Sequence, residues 1–552
     1  MRSSILRWAV VLLLIPALGV LAGGRAEEEA AEIVTDGEGP SWSWDTSSIE
    51  IGHYMHEGWY AKRWDPDTNI RDAAIQEATG IRLDISVPTG DAAERLNTMI
   101  AGNNLPDWVT LGWWFEQVRQ MEVGNRLYPL NELIDDYAPD FWDIIPQSMV
   151  DWYTADDGNW YQFPNFFWAE ERLEEFPDVG FETNAAMYAR ADIMDDLGIV
   201  PEDFETQDGM IEALQRVQGY EYDDYPVTPV YFSPEVITQW YVHTGLFAVP
   251  REDSDGNLID ERTTDRYLEM LQFMNRIYRE GLMNDENFIE SRTDISDRKT
   301  RGEIFLYIGN NADYTGAKRD LYNADNDAYY VAVGPVRNSD GERPQLNSSG
   351  LAGWQVNVIP RTASRPDRII RLFHYLYSEE GQMLTNYGVE GVTYEIVDGQ
   401  IEWTDRYLEQ QADDPDRAQA VYGDGGGVWW FQDPVFNIGT RPAPATEHER
   451  LHMESMEFFA EYTLNDLAFT NIEPPGGTVE QADASEIATY WESRLPDMIM
   501  ASSPDEVERI WRSSLDHIRG LGLEGVMEVQ NQLFQENKSR LGIEYAWPPN
   551  RE

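Results

Sequence analysis

The chain of 552 residues contains no cysteine. Without thiols it can form neither disulfides nor thiolate metal sites, and a cysteine nucleophile is excluded. Lysine is scarce as well, since it occurs only at Lys62, Lys299, Lys318 and Lys538. Beyond the N-terminus no segment approaches the roughly eighteen uninterrupted apolar residues of a membrane-spanning helix. These absences favour a globular protein without covalent cross-links.

Positive charge is also in short supply. Lysine and arginine number 41 against 100 aspartates and glutamates, which gives a formal net charge of -59. Such a field repels phosphate backbones and anionic lipid surfaces, so we expect no nucleic-acid partner. The carboxylates are spread along the whole chain, which is typical of a solvated acidic surface. A saline habitat and an arginine-biased genome would both account for this composition.

The N-terminus has the pattern of an export signal. Arg2 and Arg7 precede an apolar stretch over residues 8–21, and Gly24-Arg25-Ala26 follows with small residues where signal peptidase requires them. We expect a signal peptide over residues 1–26 and a periplasmic or extracellular mature protein. Residues 27–48 are small, acidic and turn-rich, which predicts a disordered leader.

Alternating apolar residues and helical periods succeed one another in the first structured part. The stretches "IEIGHYM", "IRLDISVP" and "DWVTLGWW" predict strands, and they are separated by a helix ending at Gly80 and a helix opening at Asp91 and stopping at Gly102. Asp91 and Glu94 have the spacing of a capping box. Strand, helix, strand, helix, strand predicts a parallel sheet with crossover helices.

The middle and the end of the chain are mostly helical in pattern. One amphipathic helix follows Thr264 as N-cap and ends before Gly281. Another has Pro366 in its first turn, and we expect Gly381 just past its end. Strand patterns lie between these two helices, and no repeat of fixed period is visible.

The sequence "HERLH", His448 to His452, matches His-Glu-x-x-His. Two imidazoles at i and i+4 on one helical face would bind zinc, with Glu449 as general base. The extended form with a third histidine does not follow, and a glutamate between two histidines is common in so acidic a chain. We therefore predict no metal site and no cofactor, and keep a secreted zinc metallopeptidase as the alternative.

Other motifs are weaker. The loop from Asp253 resembles a calcium loop but has neither the required glycine position nor a carboxylate at its twelfth residue, Thr264. The glycines after Tyr422 lack the lysine and hydroxyl of a phosphate loop. A secreted glycosidase stays open, because among 100 acids some pair always lies close in space.

Tryptophan stands out, with 20 residues in the chain. Because ligand crevices in parallel sheets lie at the carboxyl ends of the strands, tryptophans there offer flat apolar platforms for sugar rings. Eight of them fall where the pattern places a strand end or a loop: Trp59, Trp113, Trp114, Trp168, Trp240, Trp354, Trp429 and Trp430.

The order of segments resembles a known family. It is carried by "TGIRLDISVPTGDAAERLNTMIAGNNLPDWV", "MYARADIMDDLGI", "LEMLQFMNRIYREGLMNDENF" and "LFHYLYSEEGQMLTNYGVEGVTYEIVDGQ". The ordered set is similar to the extracellular solute-binding proteins of ABC importers, family 1, in the branch of long LipO-like lipoproteins. The similarity runs from about Ile49 to near Leu541 and covers nearly all of the mature chain.

The resemblance implies a periplasmic binding protein of type II, with two α/β lobes that close over a ligand cleft and a helical C-terminal part. Carried onto this sequence, lobe one takes residues 49–180 and 311–365. Lobe two takes residues 181–310 and 366–552. On this division Trp113 and Trp114 face the cleft.

The resemblance also implies a non-catalytic, monomeric substrate-binding component that delivers a carbohydrate, most simply an oligosaccharide, to an ABC permease. To the eight tryptophans we add three candidate hydrogen-bonding residues, chosen by position: His56, Asn310 and Glu390.

In one respect the chain departs from its lipoprotein relatives, since Gly24 stands where the lipobox cysteine would be. We therefore expect no lipid anchor. An acidic field disfavours acidic sugars, but local arginines could reverse this, so uronate-containing ligands remain open.

Overall fold

A computed structural model describes residues 33–57, 63–232, 241–288, 292–423 and 430–544. The strands are β1 Ile49–Met55, β2 Ile81–Ser86, β3 Trp108–Gly112, β4 Phe163–Pro164, β5 Ala185–Arg190, β6 Glu221–Tyr222, β7 Tyr225–Pro226, β8 Thr228–Phe232, β9 Ile304–Asn310, β10 Tyr330–Ala332, β11 Gln355–Val358, β12 Tyr394–Val397 and β13 Gln400–Trp403.

The α-helices are α1 Ile70–Thr79, α2 Ala92–Gly102, α3 Glu116–Val123, α4 Leu130–Tyr137, α5 Gln147–Tyr153, α6 Glu170–Glu175, α7 Ala191–Leu197, α8 Gln207–Val217, α9 Tyr241–Leu246, α10 Asp265–Arg279, α11 Arg292–Thr300, α12 Ala312–Ala324, α13 Pro366–Tyr377, α14 Glu379–Tyr387, α15 Asp405–Asp413, α16 Pro415–Tyr422, α17 Pro434–Thr440, α18 Glu447–Ala460, α19 Val479–Ile499, α20 Pro504–Gly520 and α21 Leu523–Leu541. Short 3₁₀ helices lie at Ser41–Ser43, Pro139–Asp143, Pro201–Phe204, Glu261–Thr263, Asp285–Phe288 and Leu467–Phe469.

The first lobe is built on a five-stranded sheet in the order β2-β1-β3-β11-β4. Strand β1 pairs in parallel with both β2 and β3, as the strand-helix-strand pattern predicts. Strand β11, from much later in the chain, adds on antiparallel to β3. Helices cover both faces, because α1, α4 and α13 contribute to one hydrophobic cluster while α2 and α3 contribute to another. The carboxyl ends of β1, β2 and β3 therefore lie along one edge of a sheet covered by helices.

Several helix ends form as the sequence predicts. Gly80 closes α1 in the left-handed conformation, and the Asp91 side chain caps α2 by accepting from the N–H of Glu94. Thr264 caps α10 by accepting from the N–H of Tyr267. Gly381 differs: α13 ends at Tyr377, and Gly381 lies in the first turn of α14. The glycine that the sequence suggests as a stop is instead part of the next helix.

The second lobe has a four-stranded sheet in the order β10-β5-β9-β8. Strands β8 and β9 are parallel, whereas β5 runs antiparallel to β9 and carries β10 on its other edge. Its core is one large cluster that joins the sheet to α8, α10, α19 and α20.

The lobe boundaries differ from the predicted ones. After β9 the chain stays in lobe two, since Tyr314, Tyr330 and Leu346 lie in that core. Residues 351–384 and 430–435 then contribute to the core of lobe one, including most of α13. Residues 311–346 therefore belong to lobe two, and the region from α13 to α17 to lobe one. Strand β10 explains the first difference, because its pairing with β5 keeps the chain after β9 in the lobe-two sheet.

Residues 33–48 are ordered against lobe one rather than forming part of a disordered leader. The Ser41 Oγ lies 2.8 Å from His374 Nδ1, and the Ser41 N–H donates to Asp140. The Trp42 ring meets His374 edge-on at 4.6 Å. These contacts, to α13 and to the 3₁₀ helix Pro139–Asp143, account for the order, which the acidic composition alone does not suggest.

The C-terminal helix α21 joins the lobes. Leu523 and Val526 near its start pack in the core of lobe two, while Leu541 at its end packs against the core of lobe one. Arg540 donates a hydrogen bond to the carbonyl of Trp152 in α5. The helix thus spans both halves of the molecule.

Candidate functional site

A cavity of ≈ 740 Å³ opens where β3 ends. Its lobe-one wall is formed by the β3–α3 turn, by α3 and by one residue before β4: Trp113, Trp114, Phe115, Glu116, Val118, Arg119, Glu122 and Gln162. The opposite wall is the connecting segment that leads into the lobe-two helix α19: Asn471, Glu473, Pro474, Pro475, Gly476, Gly477 and Gln481. We call this cavity the cleft. It lies between lobe one and the start of a helix packed on lobe two.

Two adjacent tryptophans form the aromatic part of the cleft. Strand β3 is buried along its whole length, and the chain turns after Gly112 before α3 begins at Glu116. Trp114 is 52% exposed. Trp113 is half-buried and its Nε1 donates to the carbonyl of Gly353. The turn thus fixes the Trp113 indole in the wall and leaves the Trp114 indole facing solvent.

Trp354, just before β11, lies beside this tryptophan pair, although it is not among the residues that line the cavity. Its ring lies nearly parallel to that of Trp114, with centroids 6.4 Å apart and planes at 21°. Trp113 meets Trp114 edge-on at 5.7 Å. Gly112 permits this arrangement, since a Cβ there would lie 2.6 Å from the Trp114 ring. Strand β11 brings Trp354 here from more than two hundred residues away by pairing with β3.

His56 lies behind this wall rather than in the cleft. It is buried, its backbone N–H donates to the carbonyl of Thr110, and its ring packs edge-on to Phe115 at 4.5 Å. Burial lowers the pKa of its imidazole, although Asp91 acts in the opposite direction. We therefore describe His56 as a support of the aromatic wall.

Trp168 and Trp430 lie in the core of lobe one, not on a free surface. Trp430 is fully buried and meets the buried ring of Trp108 at 5.1 Å. Neither ring offers a face to a ligand in this conformation, because both are covered by protein. We therefore leave these two residues out of the proposed site.

Asn310 and Glu390 lie apart from the aromatic wall. Asn310 ends β9 in lobe two, and its side-chain oxygen accepts from the N–H of Ala312 at the start of α12. Glu390 is exposed after α14 and lines a separate groove of lobe one with Glu77 and Ile396. Trp59, Trp240 and Trp429 lie outside the described residues. Of the predicted set, the structure brings together Trp113, Trp114 and Trp354.

Sequence reasoning missed the polar residues of the cleft. Glu122 accepts a hydrogen bond from the side-chain amide of Gln162, and burial raises the pKa of its carboxyl. On the opposite wall Glu473 reaches solvent but is flanked by protein, and this partial desolvation raises its pKa as well. The run Pro474-Pro475-Gly476-Gly477 is the one signal that could have marked a loop there.

The His-Glu-x-x-His segment forms the start of α18, where its glutamate has another role. The Glu449 carboxylate accepts hydrogen bonds from the N–H groups of Ala445 and Thr446, and Thr446 caps the helix in return. Nearby positive charge from Lys318 adds to burial in lowering the pKa of both His448 and His452, the latter to about 4. Among the described residues no group of three or more potential ligands could hold a metal ion.

Residues 71–393 match the family model of bacterial extracellular solute-binding proteins. The chain belongs to this family.

Three curated relatives are similar to it over part of their length. The Lipoprotein LipO of Bacillus subtilis strain 168 is 22% identical over 353 residues, which span 59% of this chain and 64% of LipO. The polygalacturonan/rhamnogalacturonan-binding protein YtcQ of the same strain is 23% identical over 407 residues, 70% of this chain and 74% of YtcQ.

The third relative is the fructooligosaccharide ABC transporter substrate-binding protein FusA of Streptococcus pneumoniae, 24% identical over 41% of this chain and 43% of FusA. The family description and the names of YtcQ and FusA are those of binding proteins, in agreement with the predicted binding protein and not with the alternative of a zinc metallopeptidase.

Solved structures show the same fold. The alginate-binding protein AlgQ2 without calcium superposes with a TM-score of 0.63 at 18% identity, over 89% of this chain and 98% of AlgQ2. FusA in complex with kestose gives a TM-score of 0.65 at 16% identity, over 89% of this chain and all of that one. The solute-binding protein thus has the predicted type II periplasmic binding fold. No helix in the described parts of the chain is long and apolar enough to cross a membrane.

Proposed function

We propose that the chain is the substrate-binding component of an ABC importer, which binds an oligosaccharide in the cleft and delivers it to a membrane permease. The family supplies the class of protein, and the names of YtcQ and FusA support a saccharide as the ligand. We further propose a monomer exported by its signal peptide and not lipid-anchored, since Gly24 replaces the lipobox cysteine.

The aromatic wall of the cleft is the observation that supports a sugar ligand. A tryptophan that exposes half of its surface gives up apolar burial, which at about 25 cal/mol per Å² is a considerable loss for so large a side chain. A ligand whose C–H face covers the Trp114 ring would recover it. The cavity of ≈ 740 Å³ has room for more than one sugar ring.

Hydrogen-bonding groups complete the proposed site. Gln162, Asn471 and Gln481 present amides on both walls. An amide both donates and accepts, which suits hydroxyl groups of either orientation. Trp113, Trp114 and Trp354 would provide the platform, and Trp59, Trp240 and Trp429 stay predictions for the same role.

Substitution of Trp114 tests the proposal. We expect Trp114→Ala to weaken binding of the best ligand from an oligosaccharide panel by at least about tenfold, roughly 1.4 kcal/mol, in calorimetric titration. Trp114→Phe should retain much of the affinity because it keeps a ring face. Trp142→Ala is the matched control, since Trp142 does not line the cleft.

If Trp114→Ala binds as the parent does, the aromatic wall is not the binding surface. If the parent binds no saccharide at all, the proposed ligand class is wrong.

A further inference from the structure

We propose that the cleft accepts a neutral or amine-bearing oligosaccharide and discriminates against one whose rings carry carboxylates. This inference deepens the proposed function and rests on it. It comes from the charged side chains of the two walls, which the overall charge of the chain does not determine. Among the residues that the structure describes, three carboxyl groups line the cleft, those of Glu116, Glu122 and Glu473, and one guanidinium, that of Arg119.

The carboxyl groups lie on both walls of the cleft. Glu116 and Glu122 belong to α3 of lobe one, and Glu473 belongs to the segment that leads into α19. The walls also approach each other here, because a Cβ on Gly476 would lie 2.7 Å from the Glu116 Oε2. A ligand between the walls therefore lies near negative charge from either side. A ring carboxylate would be repelled in both directions.

Arg119 does not reverse this balance. Its charge favours the ionised form of Glu122, yet burial outweighs that attraction, and the pKa of Glu122 stays above its usual value. Arg119 itself is exposed, so water screens it. One exposed guanidinium that already interacts with a carboxylate offers little to a second anion.

Hydrogen-bond chemistry leads to the same class of ligand. An ionised carboxylate can only accept, so a ligand group that approaches Glu473, or Glu122 beside its bond from Gln162, has to be a donor. Sugar hydroxyls and ammonium groups donate, whereas a ring carboxylate brings acceptors alone. When two acceptors face each other with no proton between them, neither forms a hydrogen bond with the other. In a partly desolvated site this costs binding free energy.

The ligands named for two similar proteins would therefore not carry over. YtcQ is named for polygalacturonan and rhamnogalacturonan, and AlgQ2 for alginate, all of them polymers rich in carboxylates. Identity to either is below 25%, so the residues of this cleft decide its specificity.

Matched saccharides that keep the same chain length and differ mainly in charge test the inference. The full-length mature protein is titrated with trigalacturonate and its methyl ester, with cellotriose and its C6-carboxylated form, and with N-acetylated and deacetylated chitotriose. We expect the uncharged member of each carboxylate pair to bind at least about tenfold more tightly, with a smaller difference in 0.5 M salt. Deacetylated chitotriose should bind at least as well as the acetylated form.

Two variants test whether the cleft carboxylates cause the preference for neutral over carboxylated saccharides. Glu122→Gln and Glu473→Gln should each reduce the ratio of neutral to carboxylated binding by about three- to tenfold. Glu132→Gln, an exposed residue of α4 outside the cleft, removes the same charge and should leave that ratio unchanged.

The outcomes separate the inference from the proposed function. Tighter binding of the carboxylated members overturns the inference and leaves the proposed function standing. A preference for the neutral saccharide that is unchanged in both Glu122→Gln and Glu473→Gln also overturns the inference and leaves the proposed function standing. The same holds if Glu132→Gln removes that preference. A panel in which no member binds contradicts the proposed function, and the inference falls with it.

Discussion

At the scale of single residues, Asn357 shows how one buried polar side chain organises lobe one. It lies fully buried in β11 and uses its whole amide. Its oxygen accepts from Trp108 Nε1 at 3.0 Å and from the Thr110 hydroxyl at 2.7 Å. Its nitrogen donates to the carbonyls of Phe163 and Trp430. The side chain thus ties β3, β4 and the chain beside Trp430 to one strand.

We predict that Asn357→Leu destabilises the protein by about 3 kcal/mol or more. Leucine has a similar volume but cannot replace the amide, so two buried donors and two buried carbonyls lose their hydrogen bond to residue 357. Leaving a buried polar group without that bond costs more free energy than the bond contributes in the parent. The measurement is urea unfolding followed by circular dichroism. Asn326→Leu is the control, because Asn326 is exposed and its side-chain amide donates to the carbonyl of Tyr322; a change under about 0.5 kcal/mol is expected. Equal effects of the two would contradict the role given to Asn357.

Residue patterns alone predict the place of Trp113 and Trp114 but not of Trp168 and Trp430. The first two follow a buried strand within the same stretch, so local pattern locates them. The other two are enclosed by chain segments distant in sequence, as when Trp430 meets Trp108. Glu473 likewise reaches the cleft only through the packing of α19 on lobe two. Local sequence contains no signal for such contacts.

At the scale of elements, the junction between α13 and α14 depends on two small residues. Ser378 caps α14 by accepting from the N–H of Gly381, and its hydroxyl donates to the carbonyl of Tyr375. A Cβ on Gly381 would lie 1.9 Å from that Tyr375 oxygen. The glycine is therefore required because α14 starts directly against the end of α13.

We predict that Gly381→Ala destabilises the protein by more than about 2 kcal/mol, since the methyl group has no space and the two helices would have to separate. Gly316→Ala is the matched control. Gly316 lies in α12 with nothing within 4 Å of its Cβ position, so alanine there should stabilise by about 0.5–1 kcal/mol through its helix propensity. Thermal unfolding of both variants measures this, and a neutral Gly381→Ala would show that α14 can shift without cost.

Helix ends were easier to predict than helix partners. The caps at Asp91 and Thr264 depend on neighbours three residues away, and both were predicted correctly. Which lobe a helix joins depends on its apolar stripe meeting a particular sheet. The family resemblance places α13 in lobe two, whereas in the structure the preceding strand β11 pairs with β3 and α13 packs in the core of lobe one.

At the scale of the whole molecule, charge acts against compactness. Arginines pair with carboxylates at the surface, as where Arg266 contacts Glu269, Asp340 and Glu342. With 41 basic residues for 100 acidic ones, negative charges exceed positive ones by 59. The unmatched charges repel one another, and folding brings them closer together.

We predict that sodium chloride raises the melting temperature at pH 7.5 by several degrees between about 0.02 and 0.5 M, because added ions shorten the reach of this repulsion. Salt also weakens the surface ion pairs, but each contributes only about 0–1 kcal/mol, and the unmatched carboxylates outnumber them. The control is the same titration near pH 4.5, close to the isoelectric point of about 4.2, where the net charge is small and the rise should largely disappear. An equal rise at both pH values would mean that salt acts by strengthening apolar burial, and the acidity would then be neutral for stability.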